Sequence, residues 1–134
     1  MARRRVVITG LGIVSPVGNT VEEAWQNILA SKSGIGTITR FDASAFSTRI
    51  GGEVENFDIT QFIPAKDARR MGTFIHYGMA AGIQAVRDAG LDSPQPDAER
   101  IGVCIGSGIG GLPLIEETKD EYNAAGPRKI SPFF

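Results

Sequence analysis

Cysteine and histidine are almost missing from this sequence, which holds one of each among its 134 residues. A single cysteine excludes a disulfide within the chain, and one histidine beside one cysteine does not supply the ligands of a structural zinc site. Both absences are typical of a protein that works in a reducing compartment.

An excess of either charge is also missing. The 14 basic and 15 acidic residues leave a net charge of −1, which argues against a protein-wide surface for nucleic acid. No run reaches the about eighteen apolar residues that a membrane span needs. The start, MARRRVVITGLG, has the basic and apolar parts of a signal peptide, but glycines and Pro16 interrupt it and no small-residue cleavage site follows. We therefore expect a cytoplasmic protein that binds neither nucleic acid nor a membrane.

Alternating strand-like and helix-like segments indicate a single α/β domain. Residues 4–10 and 100–108 have the unbroken apolar pattern of strands that are buried on both faces. Helices are predicted after a capping box at Thr20, over TFIHYGMAAGIQAVRDAG and over LPLIEETKDEYNAAG. The order strand, helix, helix, strand, helix predicts a parallel sheet, and a short hairpin is predicted around Gly51 and Gly52.

The second predicted helix carries very small residues on one face: Gly78, Ala81, Gly82 and Ala85. Such residues let another backbone approach closely, so we predict a buried central helix. His76 lies in this helix without a nucleophile or a paired carboxylate at a catalytic spacing. We interpret it as a packed or partly exposed helix histidine.

The segment IGVCIGSGIGG, residues 101–111, carries two motifs that suggest chemistry. Gly106, Gly108 and Gly111 match the G-x-G-x-x-G pattern of dinucleotide-binding loops, but no acidic residue follows about twenty positions later to hold a ribose. Cys104 has apolar neighbours and no cation nearby in sequence that would activate a thiolate. We therefore predict a close backbone approach at the glycines and an inert cysteine buried in the strand.

Two basic clusters stand out in a chain of balanced charge. Lys66, Arg69 and Arg70 fall at positions i, i+3 and i+4, so one helical turn would present all three together. Arg128 and Lys129 form the second cluster. Both clusters suit an acidic partner, and on composition alone an ordinary solvated surface explains them equally well.

The last residues, GPRKISPFF, start an element that the chain does not continue. Ser131 and Pro132 have the residue types of a helix N-cap and a first helical position, and two phenylalanines follow with nothing to bury them. We therefore expect the chain to be a piece of a larger protein.

Three segments carry a resemblance to a known family: RRVVITGLGIVSPVGN, RIGVCIGSGIGGL and GPRKISPFF. In this order they resemble the β-ketoacyl-acyl carrier protein synthases, and among these the type II synthases of bacterial fatty-acid elongation. The resemblance runs from Arg3 to Phe134. It implies a thiolase-like fold with α/β/α/β/α layers, of which residues 1–134 are the incomplete N-terminal part, and it implies a homodimer.

The chemistry of this family is the decarboxylative Claisen condensation of an acyl thioester with malonyl-acyl carrier protein. The resemblance places its nucleophilic cysteine, two histidines and a lysine beyond residue 134, so no catalytic residue is expected in this chain. Neither Cys104 nor His76 matches them. The resemblance implies no metal and no cofactor other than the phosphopantetheine arm of the carrier protein.

The resemblance also implies roles for residues that are present. Ile109 and Phe134 match residues of the acyl-chain pocket, and Phe134 would reach the pocket of the partner across the dimer interface. Five basic residues match the surface that docks acyl carrier protein, the last two as the contribution of the other subunit: Lys66, Arg69, Arg70, Arg128 and Lys129.

Three alternatives stay open at this point. A synthase I or a polyketide ketosynthase would share these motifs, because the residues that separate the types lie downstream. A non-catalytic subunit, like the chain-length factors that pair with ketosynthases, would lack the nucleophilic cysteine even at full length. A dinucleotide-binding module has only the glycine pattern in its favour.

Overall fold

The computed structural model describes residues 3–95 and 97–132. In this part of the chain the elements are α1 (Val21–Leu29), β1 (Ile35–Thr37), β2 (Ile50–Gly52), α2 (Ala65–Ala68), α3 (Thr73–Asp88) and α4 (Leu112–Ala125). Single turns of 3-10 helix lie at Ile59–Gln61, Ala98–Arg100 and Pro127–Lys129. None of the helices in these two ranges is long and apolar enough to cross a membrane.

Helix α1 begins where the capping box predicts. Thr20 is the N-cap, and its Oγ1 accepts a hydrogen bond of 3.2 Å from the backbone N–H of Glu23. The Glu23 carboxylate accepts in turn from the backbone N–H of Asn19 at 2.7 Å, so side chains on both sides of the helix start pair with the backbone. Within the helix Ala24 is buried, whereas Trp25 remains half exposed.

Helix α3 is closely approached by other segments, as its small residues predict. A Cβ at Gly12 would lie 2.9 Å from the backbone nitrogen of Ala85 and closer still to the carbonyl oxygen of Ala81. The side chain of Ile105 reaches to 3.7 Å from the place where a Cβ at Gly78 would lie. Two segments that are distant in sequence therefore contact one helix, and larger residues on it would push them away.

Hydrogen bonds hold the N-terminal segment to the same helix. The Gln84 side chain donates from Nε2 to the carbonyl oxygens of Ile13 and Asn19, each at 3.0 Å. One turn further on, Asp88 accepts from the backbone N–H of Leu11 at 2.8 Å. The close approach at Gly12 is thus fixed on both sides by polar contacts.

The prediction of a parallel sheet is wrong for this part of the chain. Residues 3–9 and 101–106 form no backbone ladder with any described residue, and the apolar side chains of Val6 and Val103 are 92% and 82% exposed. A strand needs a hydrogen-bonded neighbour, and no described segment supplies one. The prediction of a buried cysteine fails for the same reason, because Cys104 is exposed.

The predicted hairpin exists, but its glycines do not form the turn. Strand β1 pairs antiparallel with β2, and Ile35 lies opposite Gly52. Gly51 and Gly52 are therefore inside a strand, and residues 38–49 make the connection. A Cβ at Gly52 would lie 2.8 Å from Cγ of Pro16, so this glycine allows a close contact where we predicted a turn.

The chain buries little of its apolar surface by itself. Its accessible surface is 10927 Å² at a mass of 14.3 kDa, whereas a compact monomer of that mass exposes about 6,800 Å². Among the described residues, the buried side chains are small: Ala24, Ala43, Ala68, Ala80 and Thr118. The apolar faces around residues 6–8 and 103–105 are left uncovered.

Candidate functional site

The first basic cluster, Lys66, Arg69 and Arg70, lies on one helical turn. The backbone N–H of Arg69 donates to Ala65 at 3.3 Å and that of Arg70 donates to Asp67 at 3.1 Å, so the turn of α2 continues through both arginines. All three basic residues are exposed. The predicted placement of three cations on one turn is therefore confirmed.

The histidine of α3 holds this turn in place. Nε2 of His76 lies 2.9 Å from the carbonyl oxygen of Ala68, and Ala68 is buried. Because a carbonyl oxygen only accepts, Nε2 carries the proton in this contact. The interpretation of His76 as a packed helix histidine is confirmed, and the residue positions the first basic cluster.

A cleft of about 240 Å³ opens beside the first basic cluster. Its lining combines two arginines with two carboxylates of α4 and a serine: Arg69, Arg70, Glu117, Glu121 and Ser131. Two guanidinium groups and two carboxylates in one cleft offset each other's charge. The cleft itself is therefore close to neutral, although one wall is basic.

The second basic cluster, Arg128 and Lys129, lies on the 3-10 turn that follows α4. Gly126 ends α4 with a φ of 77°, a conformation that glycine adopts without strain. Both basic residues are exposed, and Ser131, two residues later, lines the cleft beside the first cluster. The segment that follows the second cluster thus reaches the cleft, although Arg128 and Lys129 are not in its lining. That the second cluster serves the other subunit stays a prediction.

Ile109 lies on the loop of residues 107–111, which leads into α4. Its side chain is 74% exposed. The backbone N–H of Gly110 donates to Oγ of Ser107 at 3.1 Å and closes the loop beneath Ile109. The other predicted pocket residue, Phe134, lies outside the described residues.

Two clefts of about 400 Å³ and 370 Å³ lie next to this loop, and the ring of Phe74 lines both. The first lies between α3 and α4, and its lining includes Arg40, Tyr77, Gly110, Gly111 and Leu114. The second is mostly apolar and includes Ile75, Gly78, Met79, Ile105 and Ser107. Ile109 is in neither lining within the described chain, so its part in an acyl pocket stays a prediction.

A polar network that the sequence did not predict joins the hairpin to α3. The Glu53 carboxylate accepts from Oγ1 of Thr39 at 2.7 Å and from the backbone N–H groups of Thr39 and Arg40. Nη2 of Arg40 donates to the Tyr77 hydroxyl and to the carbonyl oxygen of Val54, both at 3.1 Å. The bond to Tyr77 raises the pKa of Arg40. This direction follows from the side-chain hydrogen bond as its largest cause. The partners are 14 and 37 residues apart in sequence, so no spacing signal could have found them.

Replacing Thr39 by valine is expected to destabilise the protein at neutral pH and less so in acid. The hydrogen bond from the Thr39 side chain is the main cause that lowers the pKa of Glu53 from its ordinary 4.5. A carboxyl whose pKa is lowered by folding stabilises the fold above its unfolded pKa, and this contribution is lost as the pH falls through the folded value. In urea titrations of the full-length protein, the loss caused by Thr39→Val should be largest near pH 7 and shrink below about pH 4.

The control for this experiment is Thr37→Val, the same change at an exposed position of β1. Its effect should not depend on pH. A loss that is the same at pH 7 and pH 3 for Thr39→Val would mean that the Glu53 contact contributes nothing.

The single histidine and the single cysteine lie apart from each other's chemistry, and that no catalytic residue lies in this chain stays a prediction. His76 is occupied by a backbone carbonyl, and Cys104 lies exposed beside apolar neighbours. Within residues 3–95 and 97–132, no group of three or more His, Cys, Asp or Glu side chains is placed to hold a metal ion. The expectation that the protein needs no cofactor of its own stays a prediction.

Comparison with known proteins decides the family. The family model of the β-ketoacyl synthase N-terminal domain matches residues 3–134. This chain belongs to the β-ketoacyl synthase family. The glycine pattern at residues 106–111 therefore lies in a β-ketoacyl synthase domain and not in a dinucleotide-binding module.

Three curated relatives of this β-ketoacyl synthase chain carry the name 3-oxoacyl-[acyl-carrier-protein] synthase 2. Over 134 residues, the chain is 56% identical to that of Vibrio harveyi, 57% to that of Vibrio cholerae and 52% to that of Coxiella burnetii. These alignments cover 100% of the chain and 32% of each relative. The chain thus spans about a third of the length of these relatives.

Solved ketosynthases share the fold of this β-ketoacyl synthase chain. The ishigamide ketosynthase/chain length factor superposes with a TM-score of 0.73 at 33% identity, over 98% of the chain and 33% of the solved one. A type II polyketide ketosynthase in complex with its acyl-carrier protein gives 0.74 at 25% identity, over 98% and 35%. A β-ketoacyl synthase from Burkholderia phymatum gives 0.75 at 25% identity, over 98% and 33%. The predicted thiolase-like α/β class is confirmed.

Proposed function

We propose that this chain is the N-terminal segment of a type II 3-oxoacyl-[acyl-carrier-protein] synthase of fatty-acid elongation. The observation that carries the proposal is an identity of 52% to 57% with three synthases 2 over the whole chain. The complete protein acts in the cytoplasm as a homodimer. Its partner is acyl carrier protein.

The proposed reaction joins two thioesters in two steps. The acyl carbonyl carbon first forms a bond to the thiolate of the enzyme's cysteine, and the thiolate of the carrier arm leaves. Malonyl-acyl carrier protein then loses carbon dioxide, and its carbanion attacks the acyl thioester. A carbon–carbon bond forms, the bond to the cysteine breaks, and the cysteine thiolate is released. Backbone N–H groups stabilise the oxyanion of the tetrahedral intermediate.

In this scheme the residues of this chain bind acyl carrier protein and position the acyl chain, and they take no part in the chemical steps. The catalytic cysteine, histidines and lysine are proposed to lie outside residues 1–134, so the segment alone is inactive. The two basic clusters dock acyl carrier protein, and the exposure of their side chains supports this role. A similar ketosynthase was solved with its acyl-carrier protein, which also supports it. Ile109 and Phe134 line the acyl pocket.

A second candidate function is a chain-length-factor-like subunit that condenses nothing. It is favoured by the likeness, at 33% identity, to a solved ketosynthase/chain length factor. In a polyketide system, such a subunit would pair with a catalytic ketosynthase. It would share the fold of this chain without taking an acyl group itself.

A condensation assay separates these two functions. Full-length protein from the native reading frame, given an acyl-acyl carrier protein and malonyl-acyl carrier protein, should release carbon dioxide and 3-oxoacyl-acyl carrier protein. Mass spectrometry of the carrier detects the product, and the 134-residue chain is the inactive control. Full-length protein that never takes the acyl group onto a cysteine would overturn the synthase proposal and favour the chain-length subunit.

A further inference from the structure

Phe74 lies beneath the loop that carries Ile109. We propose that Phe74 is a positioning residue, which holds residues 107–111 in place and thereby sets how well the enzyme discriminates between short and long acyl chains. This inference rests on the proposed function, because only an acyl pocket gives the position of Ile109 a consequence. Nothing in the sequence pattern singles out Phe74.

Within the loop, the hydrogen bond from the Gly110 N–H to Oγ of Ser107 is joined by little side-chain packing. A Cβ placed at Gly106 or Gly108 would meet nothing within 4 Å, so no neighbouring side chain packs against these two positions. Gly110 has a φ of 81°, in the left-handed region that favours glycine. A loop made largely of glycine loses much conformational entropy when it is held in one conformation. Its conformation therefore depends on the contacts at its ends.

The Phe74 ring supplies the contact at the end of the loop that leads into α4. A Cβ at Gly111 would lie 3.0 Å from Cε1 of the ring, and one at Gly110 would lie 3.5 Å from its Cζ. On α2's side of the ring, a Cβ at Gly72 would lie 3.2 Å from Cδ1. The ring therefore occupies the room that three missing Cβ atoms leave, and its tight fit restricts the backbone of residues 110 and 111.

The ring is attached to the first turn of a long helix. Phe74 is the second residue of α3, a helix of 16 residues whose side chains Gln84 and Asp88 bind the N-terminal segment. Displacement of the ring would require a change of its rotamer or a movement of this first turn of α3. The ring therefore links the position of this turn to that of the backbone at residues 110 and 111, next to Ile109.

Removal of the ring is expected to loosen this loop. In full-length Phe74→Leu, the Ile109 side chain would sample more positions, and the wall of the pocket would no longer select one chain length. We expect the ratio of kcat/KM between a butyryl and a tetradecanoyl carrier substrate to change by about tenfold toward unity. Amide hydrogen exchange at residues 107–111 should become faster in the same variant.

Two further variants separate positioning from general destabilisation. If Phe74 acts through Ile109, then Phe74→Leu should change the ratio little in an Ile109→Ala background, because residues that act together are not additive. Phe41→Leu is the control, since Phe41 is likewise a partly exposed phenylalanine, 57% exposed against 36% for Phe74, and pairs with Phe46 rather than with the loop. It should alter neither the ratio nor the exchange.

The outcomes that overturn the inference are distinct from failure of the proposed function. A wild-type enzyme that condenses, together with a Phe74→Leu variant of unchanged ratio or fully additive effect, contradicts the positioning role alone. A full-length wild type that condenses nothing removes the proposed function and this inference with it. Should the leucine variant fail to fold, Phe74→Met, which has about the volume of leucine but an unbranched side chain that adapts to an irregular gap, is judged by the same ratio and exchange rates.

Discussion

Replacing Gly12 by alanine is expected to lower the free energy of unfolding of the full-length protein by about 3 kcal/mol or more. The added Cβ would lie 2.9 Å from the carbonyl carbon of Ala81 and from the backbone nitrogen of Ala85. These are backbone atoms of α3 and have no rotamer that moves them aside. Urea unfolding, or loss of soluble protein when the variant no longer folds, measures the effect.

The cost is large because relaxation would break other contacts. If the N-terminal segment moved away from α3, the hydrogen bonds from Gln84 to Ile13 and Asn19 would lengthen and leave partly buried polar groups unpaired. If α3 moved instead, the contacts of the Ile105 side chain with Gly78 and Gly82 of this helix would be lost. Neither route removes the overlap without a second loss.

Gly36→Ala is the control for Gly12→Ala. A Cβ at Gly36 meets nothing within 4 Å, so this variant should stay within about 0.5 kcal/mol of the wild type. Both variants change glycine to alanine and differ only in what the new methyl group meets. Equal stability of the two would show that the segment around Gly12 does not approach α3 in solution.

The helices could be predicted because their signals are local. The capping box of Thr20 and Glu23 acts within one turn, and the small residues from Gly78 to Ala85 repeat at the helical period. Such features depend on neighbours three or four positions away, which the sequence displays directly. The turn that carries Lys66, Arg69 and Arg70 was predictable for the same reason.

The strands and the polar contacts could not be predicted because their partners are distant. The apolar run at residues 101–106 indicates burial, but nothing in it identifies a pairing strand, and no described segment forms a backbone ladder with it. The link from Arg40 to Tyr77 joins positions that no period relates. Gly51 and Gly52 have the composition of a turn, but they lie in strand β2, where Gly52 packs against Pro16.

In the candidate site, too, only the local features could be predicted from the sequence. The spacing of the basic residues predicts that they lie together, whereas the carboxylates of Glu117 and Glu121 reach the same cleft only through the position of α4. The cleft is therefore less positive than the sequence suggests. A docking test should therefore use basic residues that are not in the cleft lining, because the glutamates of the cleft do not offset their charge.

Reversing one charge in each basic cluster, Lys66→Glu with Lys129→Glu, is expected to raise the KM for acyl-acyl carrier protein by about tenfold to a hundredfold, with little change in kcat. Both residues are exposed, and the structure does not place either in the lining that holds the two glutamates. An acidic carrier that meets two new negative charges loses attraction and gains repulsion. Steady-state kinetics of the full-length enzyme at low salt measures the change.

Salt and a carrier-free substrate show whether docking is the step affected. The KM of the wild type should rise with ionic strength, because salt screens charges on an exposed surface, and that of the variant should rise much less. An acyl-pantetheine substrate has no acidic protein to dock, so both enzymes should use it equally well. Lys32→Glu with Arg87→Glu makes the same change of net charge at exposed positions away from both clusters. If this control raises the KM as much as the docking variant, the carrier responds to overall charge, and the two clusters form no specific docking surface.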